Sequence, residues 1–258
     1  LVPGRSLHLT ALASFPLVGP GDDLGGLILR ALDSNHLCLE NGDVLILAQK
    51  IVSKSEGRLV DLSTVSPSER ARALGARCQK DPRFVEMVLR ESRDVLRARP
   101  GLLVVEHRLG FVCANAGIDR SNVGGDKDGS EWVLLLPRDP DASCRAFRRR
   151  MEEAAGVEVG VIINDSHGRA WRNGIVGVAI GVAGLPALED LRGRMDLFDY
   201  QLQITQVAAA DELASAASLL MGQADEALPV VHARGFPYAL RESSMSELIR
   251  PKQQDVFR

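Results

Sequence analysis

Three polar, glycine-bearing segments, residues 115–125, 164–174 and 221–226, each follow directly on an apolar run of strand or helix character. A rigid element that ends this way presents side chains and loop backbone together, which is how mixed α/β proteins build binding sites. Asp43 to Val52 carries the apolar run Val44 to Ala48 followed by polar Gln49 and Lys50, the pattern of a buried strand delivering polar residues at its end. Ser66, Pro67 and Glu69 predict a capped helix start, with helix to about Ser92 and a break near Asp81 and Pro82. Residues 102–106 and 111–115 flank the turn His107 to Gly110 and predict a hairpin. Beyond it, 132–136 is apolar, 141–155 is a basic amphipathic helix stopped by Gly156, and 157–163 and 174–184 are strands. Residues 208–220 form a helix closed by Gly222, 228–233 a last strand, and Asp22 and Asp23 an N-cap pair for a helix over 24–32. The predicted fold class is α/β (mixed α+β), in two interlocked subdomains.

Hydrophobic residues make up 45% and aromatic residues 4% of the 258 positions, so Leu, Val, Ile and Ala must fill the core. A net charge of -3 argues against a nonspecific nucleic-acid binder, which needs a basic face to displace counterions from phosphates. Cys38, Cys78, Cys113 and Cys144 have no paired spacing; neither a zinc knot nor a disulfide framework is expected, and they read as buried free thiols. No apolar run approaches the ~20 residues that span a bilayer, so the expected location is cytoplasmic, without membrane contact. Residues 1–6 show no periodicity, and 241–258 is a polar tail expected to fray or lie on the surface.

The segment Ala114-Asn115-Ala116-Gly117-Ile118-Asp119-Arg120-Ser121-Asn122 sets a carboxylate three residues before an amide among small residues. It suits a divalent cation beside a phosphate; the alternative is an Asx-turn in which Asp119 bonds its own backbone. Asn164-Asp165-Ser166-His167-Gly168-Arg169-Ala170-Trp171-Arg172-Asn173-Gly174 packs an acid, a hydroxyl, an imidazole and two guanidinium groups behind a buried strand. Asp165 is a hard oxygen ligand for magnesium or manganese, Ser166 a further donor, and Arg169 and Arg172 suit bidentate pairing with a substrate phosphate or carboxylate. His167 reads as a hydrogen-bonded structural residue, since no Gly-x-Ser-x-Gly elbow occurs. Gln49, Lys50, Ser53 and Lys54 gather at one strand end, either for a polyphosphate or as a solvated face. The chain has no phosphate loop of the Gly-x-x-x-x-Gly-Lys type and no dinucleotide fingerprint.

Pro16-Leu17-Val18 with Gly21-Asp22-Asp23, Ala48 to Arg58, Ala114 to Asp119, Asn164 to Arg169 and Met221-Gly222-Gln223-Ala224-Asp225-Glu226 together resemble the coenzyme F420-0:L-glutamate ligase family, the F420 γ-glutamyl ligases. The likeness runs from about Phe15 to Gly235 and implies a ligase-like domain over 7–240, without the nitroreductase-like domain that follows it in some relatives. It also implies GTP as co-substrate, two magnesium or manganese ions, a potassium site and a homodimer. Carried over by position, Asp119 and Asp165 correspond to ligands of one metal, and Ser166 and Gln223 to ligands of the other. Pro16, Leu17, Val18, Gln49, Lys50, Lys54, Asn122 and Met221, Gly222, Gln223, Ala224, Asp225 and Glu226 correspond to GTP-contacting positions. Ser166 stands where threonine is common and keeps the hydroxyl; Gln223 offers a neutral amide where a carboxylate binds metal more strongly.

The reaction implied is GTP-dependent ligation of L-glutamate to the lactyl carboxylate of F420-0, a phosphorylated deazaflavin, through an acyl phosphate, with further γ-linked additions. No protein nucleophile is needed, in keeping with the absence of a triad. The same side chains would also serve a metal-dependent phosphotransferase or phosphohydrolase, or a noncatalytic nucleotide-binding protein.

Overall fold

The computed structural model describes residues 4–123 and 131–255. In chain order its elements are β1 (His8–Ala11), α1 (Leu24–Ser34), β2 (Val44–Ala48), α2 (Gln49–Ser55), β3 (Leu59–Asp61), α3 (Glu69–Cys78), α4 (Pro82–Arg90), β4 (Ser92–Arg99), β5 (Leu102–His107), β6 (Val112–Ala114), β7 (Trp132–Leu134), α5 (Pro140–Ala155), β8 (Gly160–Arg169), β9 (Arg172–Ala183), β10 (Glu189–Asp190), β11 (Gln206–Val207), α6 (Ala209–Met221) and β12 (Val230–Arg234). Side-chain caps fix several helix starts. Asp23 accepts the Gly26 N–H at α1, Asp81 precedes Pro82 at α4, and Asp139 precedes Pro140 at α5, where proline's missing donor costs nothing.

A five-stranded sheet in the order β1-β12-β2-β8-β9 is the frame. Only β2 and β8 run parallel; the other neighbours are antiparallel. Alternation along its strands sends Leu45, Leu47, Val161 and Ile163 to one face, against Ile28 of α1 and Cys144 and Met151 of α5. Val44, Ile46 and Ile162 go to the other face, against Leu213, Ala214 and Ala217 of α6. Both faces are buried, which is why β2 reads as an unbroken apolar run. A further cluster, built by Leu62, Phe84, Val85, Val88, Leu103, Val105 and Val133, lies within the stretch between α2 and α5, around the three-stranded sheet β4-β5-β6. Phe111 packs against both this cluster and that on the α1/α5 face.

Several local expectations are corrected. The cap of α3 is Ser68, which accepts the Ala71 N–H, rather than Ser66. The strand expected over 43–52 stops at Ala48, where α2 begins; helix ends at Arg90, and Ser92 opens a strand paired with β5. Residues 164–169 are strand, not loop, because β8 continues through them into a hairpin with β9. Cys38 is exposed, while Cys78, Cys113 and Cys144 are buried. The tail is fastened: Met245 is buried with its N–H on Asp141, and Lys252 pairs with the buried Glu106 at 2.8 Å. No described helix is long and apolar enough to cross a membrane. Leu1 to Pro3, Gly124 and Gly125 of the first polar segment, and the last three tail positions lie outside the described residues.

Candidate functional site

The parallel register sets Ala48 opposite Asn164, so the next residue along each chain brings Gln49 and Asp165 to the same end of the sheet. Asp119 reaches that end from another direction. Its backbone exchanges both hydrogen bonds with Leu134 of β7, at 2.9 and 3.0 Å. The approach to it is a left-handed run, Asn115, Ala116 and Gly117, at φ 51°, 56° and 64°. Only glycine fits the last of these, since a Cβ there would sit 2.7 Å from Leu136 Cδ1.

The Asp119 carboxylate accepts the Gln49 Nε2 at 2.5 Å and lies 3.5 Å from the Lys50 ammonium. Ser53, fully buried, donates to Gln49 Oε1 at 2.9 Å and so orients that amide. This answers the Asx-turn alternative: Asp119 is bound by another element. Burial pushes its carboxyl up to about 6, the charge of Asp165 adds to the shift, and Lys50 opposes it. Lys50 also donates to Ser121 O at 3.1 Å. Lys54 is partly desolvated, and burial together with the charge of Lys50 lowers its pKa. Gln49, Ser53 and Lys54 are therefore not a solvated face.

The third segment closes over the second and the first. Ser166 Oγ donates to Gln223 Oε1 at 2.9 Å, Gln223 Nε2 donates to Ser218 Oγ at 3.1 Å, and Asn122 Nδ2 donates to Ala224 O at 2.7 Å. Gly222 ends α6 with φ 71°, and its missing side chain leaves the space that the Glu226 carboxyl group occupies. Backbone N–H groups of Ala224, Glu226 and Gln223 hold that carboxylate below its ordinary pKa, so the loop is a nest of amides around an anion. His167 bonds Asp165 at 3.0 Å and is tilted against Phe111, whose other partner is the stacked ring of His107.

Not every predicted residue joins this constellation. Arg169 and Arg172 face each other at the tip of the β8–β9 hairpin, exposed, several residues beyond Asp165. Leu17 is 93% exposed while Val18 is buried. Their loop is tied to α2 through Gly21 N–H on Ser55 O and through Val18, which shares a buried cluster with Ile51 and Val52. Ser121 and Ser218, which anchor Lys50 and Gln223, carry no signal in the sequence, because their partners are distant in the chain.

Among the described residues no three His, Cys, Asp or Glu side chains gather as a metal site. Asp119 lies within electrostatic reach of Asp165, and Ser166, the next residue of β8, bonds Gln223; the two carboxylates, the hydroxyl and the amide carbonyl are all hard oxygen donors. Asp119 and Asp165 repel one another with Lys50 as the neighbouring cation, an arrangement a divalent ion relieves. The donor set fits magnesium or manganese.

Residues 13–235 match the family described as F420-0:Gamma-glutamyl ligase. The chain is 47% identical over 254 residues to the coenzyme F420:L-glutamate ligase of Methanothermobacter thermautotrophicus, covering 98% of this chain and 99% of that protein. It is 47% identical over 245 residues to the protein of that name from Methanopyrus kandleri, with 93% of each chain covered. With that from Archaeoglobus fulgidus it shares 46% over 243 residues, 94% of this chain and 93% of the relative.

Proposed function

Because the chain belongs to the F420-0:gamma-glutamyl ligase family, we propose that it joins L-glutamate to the lactyl carboxylate of F420-0 at the expense of GTP. The observation that carries this reading is the meeting of separate segments, in which Asp119 bonds Gln49, pairs with Lys50 and senses the charge of Asp165, while Ser166 bonds Gln223.

A carboxylate is a poor electrophile, so it must first be activated. The acceptor carboxylate oxygen attacks the γ-phosphorus of GTP, the bond to the β-phosphate oxygen breaks, and GDP leaves. The amine of glutamate then attacks the acyl carbon, inorganic phosphate departs with the carbon–oxygen electron pair, and the amine loses a proton. Repetition on the new γ-carboxylate extends the tail. Asp119, Asp165, Ser166 and Gln223 would hold two magnesium or manganese ions, which supply charge neutralisation at phosphate oxygens. Lys50 and Lys54 draw the polyphosphate in, and the amides of Gln223, Ala224 and Glu226 offer it the nest that the Glu226 carboxylate fills. Pro16, Leu17, Val18 and Asn122 border the nucleotide on this reading. Positioning dominates the rate, and no protein nucleophile takes part.

A potassium site and a homodimer complete the proposal. The dimer is supported by the exposed apolar side chains of Trp171 on the β8–β9 tip and of Leu197, Phe198 and Ile204 between β10 and β11. Incubation with F420-0, GTP, manganese and glutamate, followed by mass analysis, tests the reaction: a glutamyl increment is expected. Phosphate release without that increment would support a phosphohydrolase instead, and intact GTP a noncatalytic binder.

A further inference from the structure

A cavity of about 520 Å³ opens beside the Asp119 loop, lined by Lys80, Asp81, Phe84, Asn115, Arg120 and Ser121 among others. Lys80 Nζ lies 5.3 Å and Arg120 Cζ 4.6 Å from the centroid of the same Phe84 ring. The ring's negative face attracts each cation but cannot neutralise two. The acid of the cavity is already engaged: Asp81 caps α4 through the Arg83 N–H and pairs with the Arg83 guanidinium at 2.6 Å. Among the described residues neither Lys80 nor Arg120 has a carboxylate within ion-pair distance. Burial lowers the pKa of Lys80, and the charge of Arg120 lowers it further.

Asp81 senses the charge of Arg120 but is committed to Arg83, so two like charges converging on one ring, at a cavity and with no described carboxylate in ion-pair contact, are complementary to an oxyanion. The cavity is joined to the reaction centre through the loop itself. Arg120 and Ser121 follow Asp119 directly, and Ser121 O receives the Lys50 ammonium that also faces Asp119. None of Lys54, Asn122 or the 221–226 loop lines it. We propose that Lys80 and Arg120 form an oxyanion subsite, separate from the nucleotide stretches, that receives a phosphate or carboxylate group of a substrate. The inference rests on the ligase reading, which leaves two sources of such a group: the phosphodiester of F420-0 and the carboxylates of glutamate.

Steady-state kinetics of Lys80→Gln, Arg120→Gln and the charge-keeping Lys80→Arg, with each substrate varied in turn, test it. Loss of one charge-assisted contact raises KM about tenfold. That rise is expected in both Gln variants and not in Lys80→Arg, with kcat and thermal midpoint near those of the unaltered protein. A rise confined to F420-0 identifies the phosphodiester, and one confined to glutamate identifies its carboxylates. KM values unchanged for both, or a rise for GTP alone, overturn the subsite. An unaltered protein that forms no glutamyl amide sinks the ligase reading and the subsite with it; amide formation with unaffected variants sinks the subsite alone.

Discussion

Gln223 sits between two hydroxyls, accepting from Ser166 and donating to Ser218. Its carbonyl oxygen is a weaker cation ligand than a carboxylate in the same place. Gln223→Glu is therefore expected to lower the manganese concentration needed for half-maximal ligation severalfold, measured by titrating metal against rate; an unchanged requirement would remove residue 223 from the metal site. His107 behaves differently. Burial, with the charge of Arg58 adding to it, depresses its pKa to about 4, while its Nδ1 accepts the Leu109 N–H at 3.0 Å. The unfolded chain binds a proton near pH 6.5 that the folded chain refuses until about pH 4. Stability is then fully present above that window and falls as pH drops through it, by up to about 3 kcal/mol. Asp119, raised to about 6, contributes with the opposite sign in the same window, so the test is the comparison of urea melts at pH 7 and pH 5 for the unaltered protein and His107→Gln: the substitution should make the change from pH 7 to pH 5 less destabilising. At this scale Asp119, Asp165 and Ser166 were legible as hard oxygen donors from residue type, whereas the bond to Gln49 that answers the Asx-turn alternative for Asp119 was not. His107 was read only as a turn residue, since nothing local announces its burial.

Elements decide where those residues point. Asp119 depends on a left-handed approach clamped to Leu134, and Gly117 is the position where that approach touches Leu136. Gly117→Ala combines a disfavoured φ with overpacking and should cost about 2–4 kcal/mol. Thermal denaturation checks the magnitude; a shift in the midpoint too small to measure would mean that the loop relaxes freely. The strands β2 and β8, the helices α5 and α6 and the hairpin of β5 and β6 were foreseeable from periodicity and caps. The continuation of β8 through residues 164–169 was not, because polar residues facing a site break the apolar pattern that identifies a strand. Strand β4 was hidden likewise: five of the eight residues in Ser-Arg-Asp-Val-Leu-Arg-Ala-Arg are polar and none is buried, and its pairing with β5 is what holds it.

Across the whole molecule, the surface between β10 and β11 leaves Leu197 95% and Phe198 88% exposed, neighbouring apolar side chains of the kind that mark an interaction surface. If a second copy covers it, light scattering should give the mass of two chains and Phe198→Glu the mass of one. A dimer that survives this substitution would place the interface elsewhere. The ends of the chain are drawn in too: β1 pairs with β12, and the tail crosses to Asp141 and Glu106. By itself the sequence determined the mixed α/β class, most of the regular elements and the identity of the chemical groups, because these follow from local pattern and side-chain type. Only the tertiary structure decided that Gln49 orients on Asp119, that Ser166 meets Gln223 and that Arg169 and Arg172 stand apart at a hairpin tip. Those outcomes depend on sheet order and strand register, which are set by the burial of many distant side chains at once and leave no trace in any short stretch of residues.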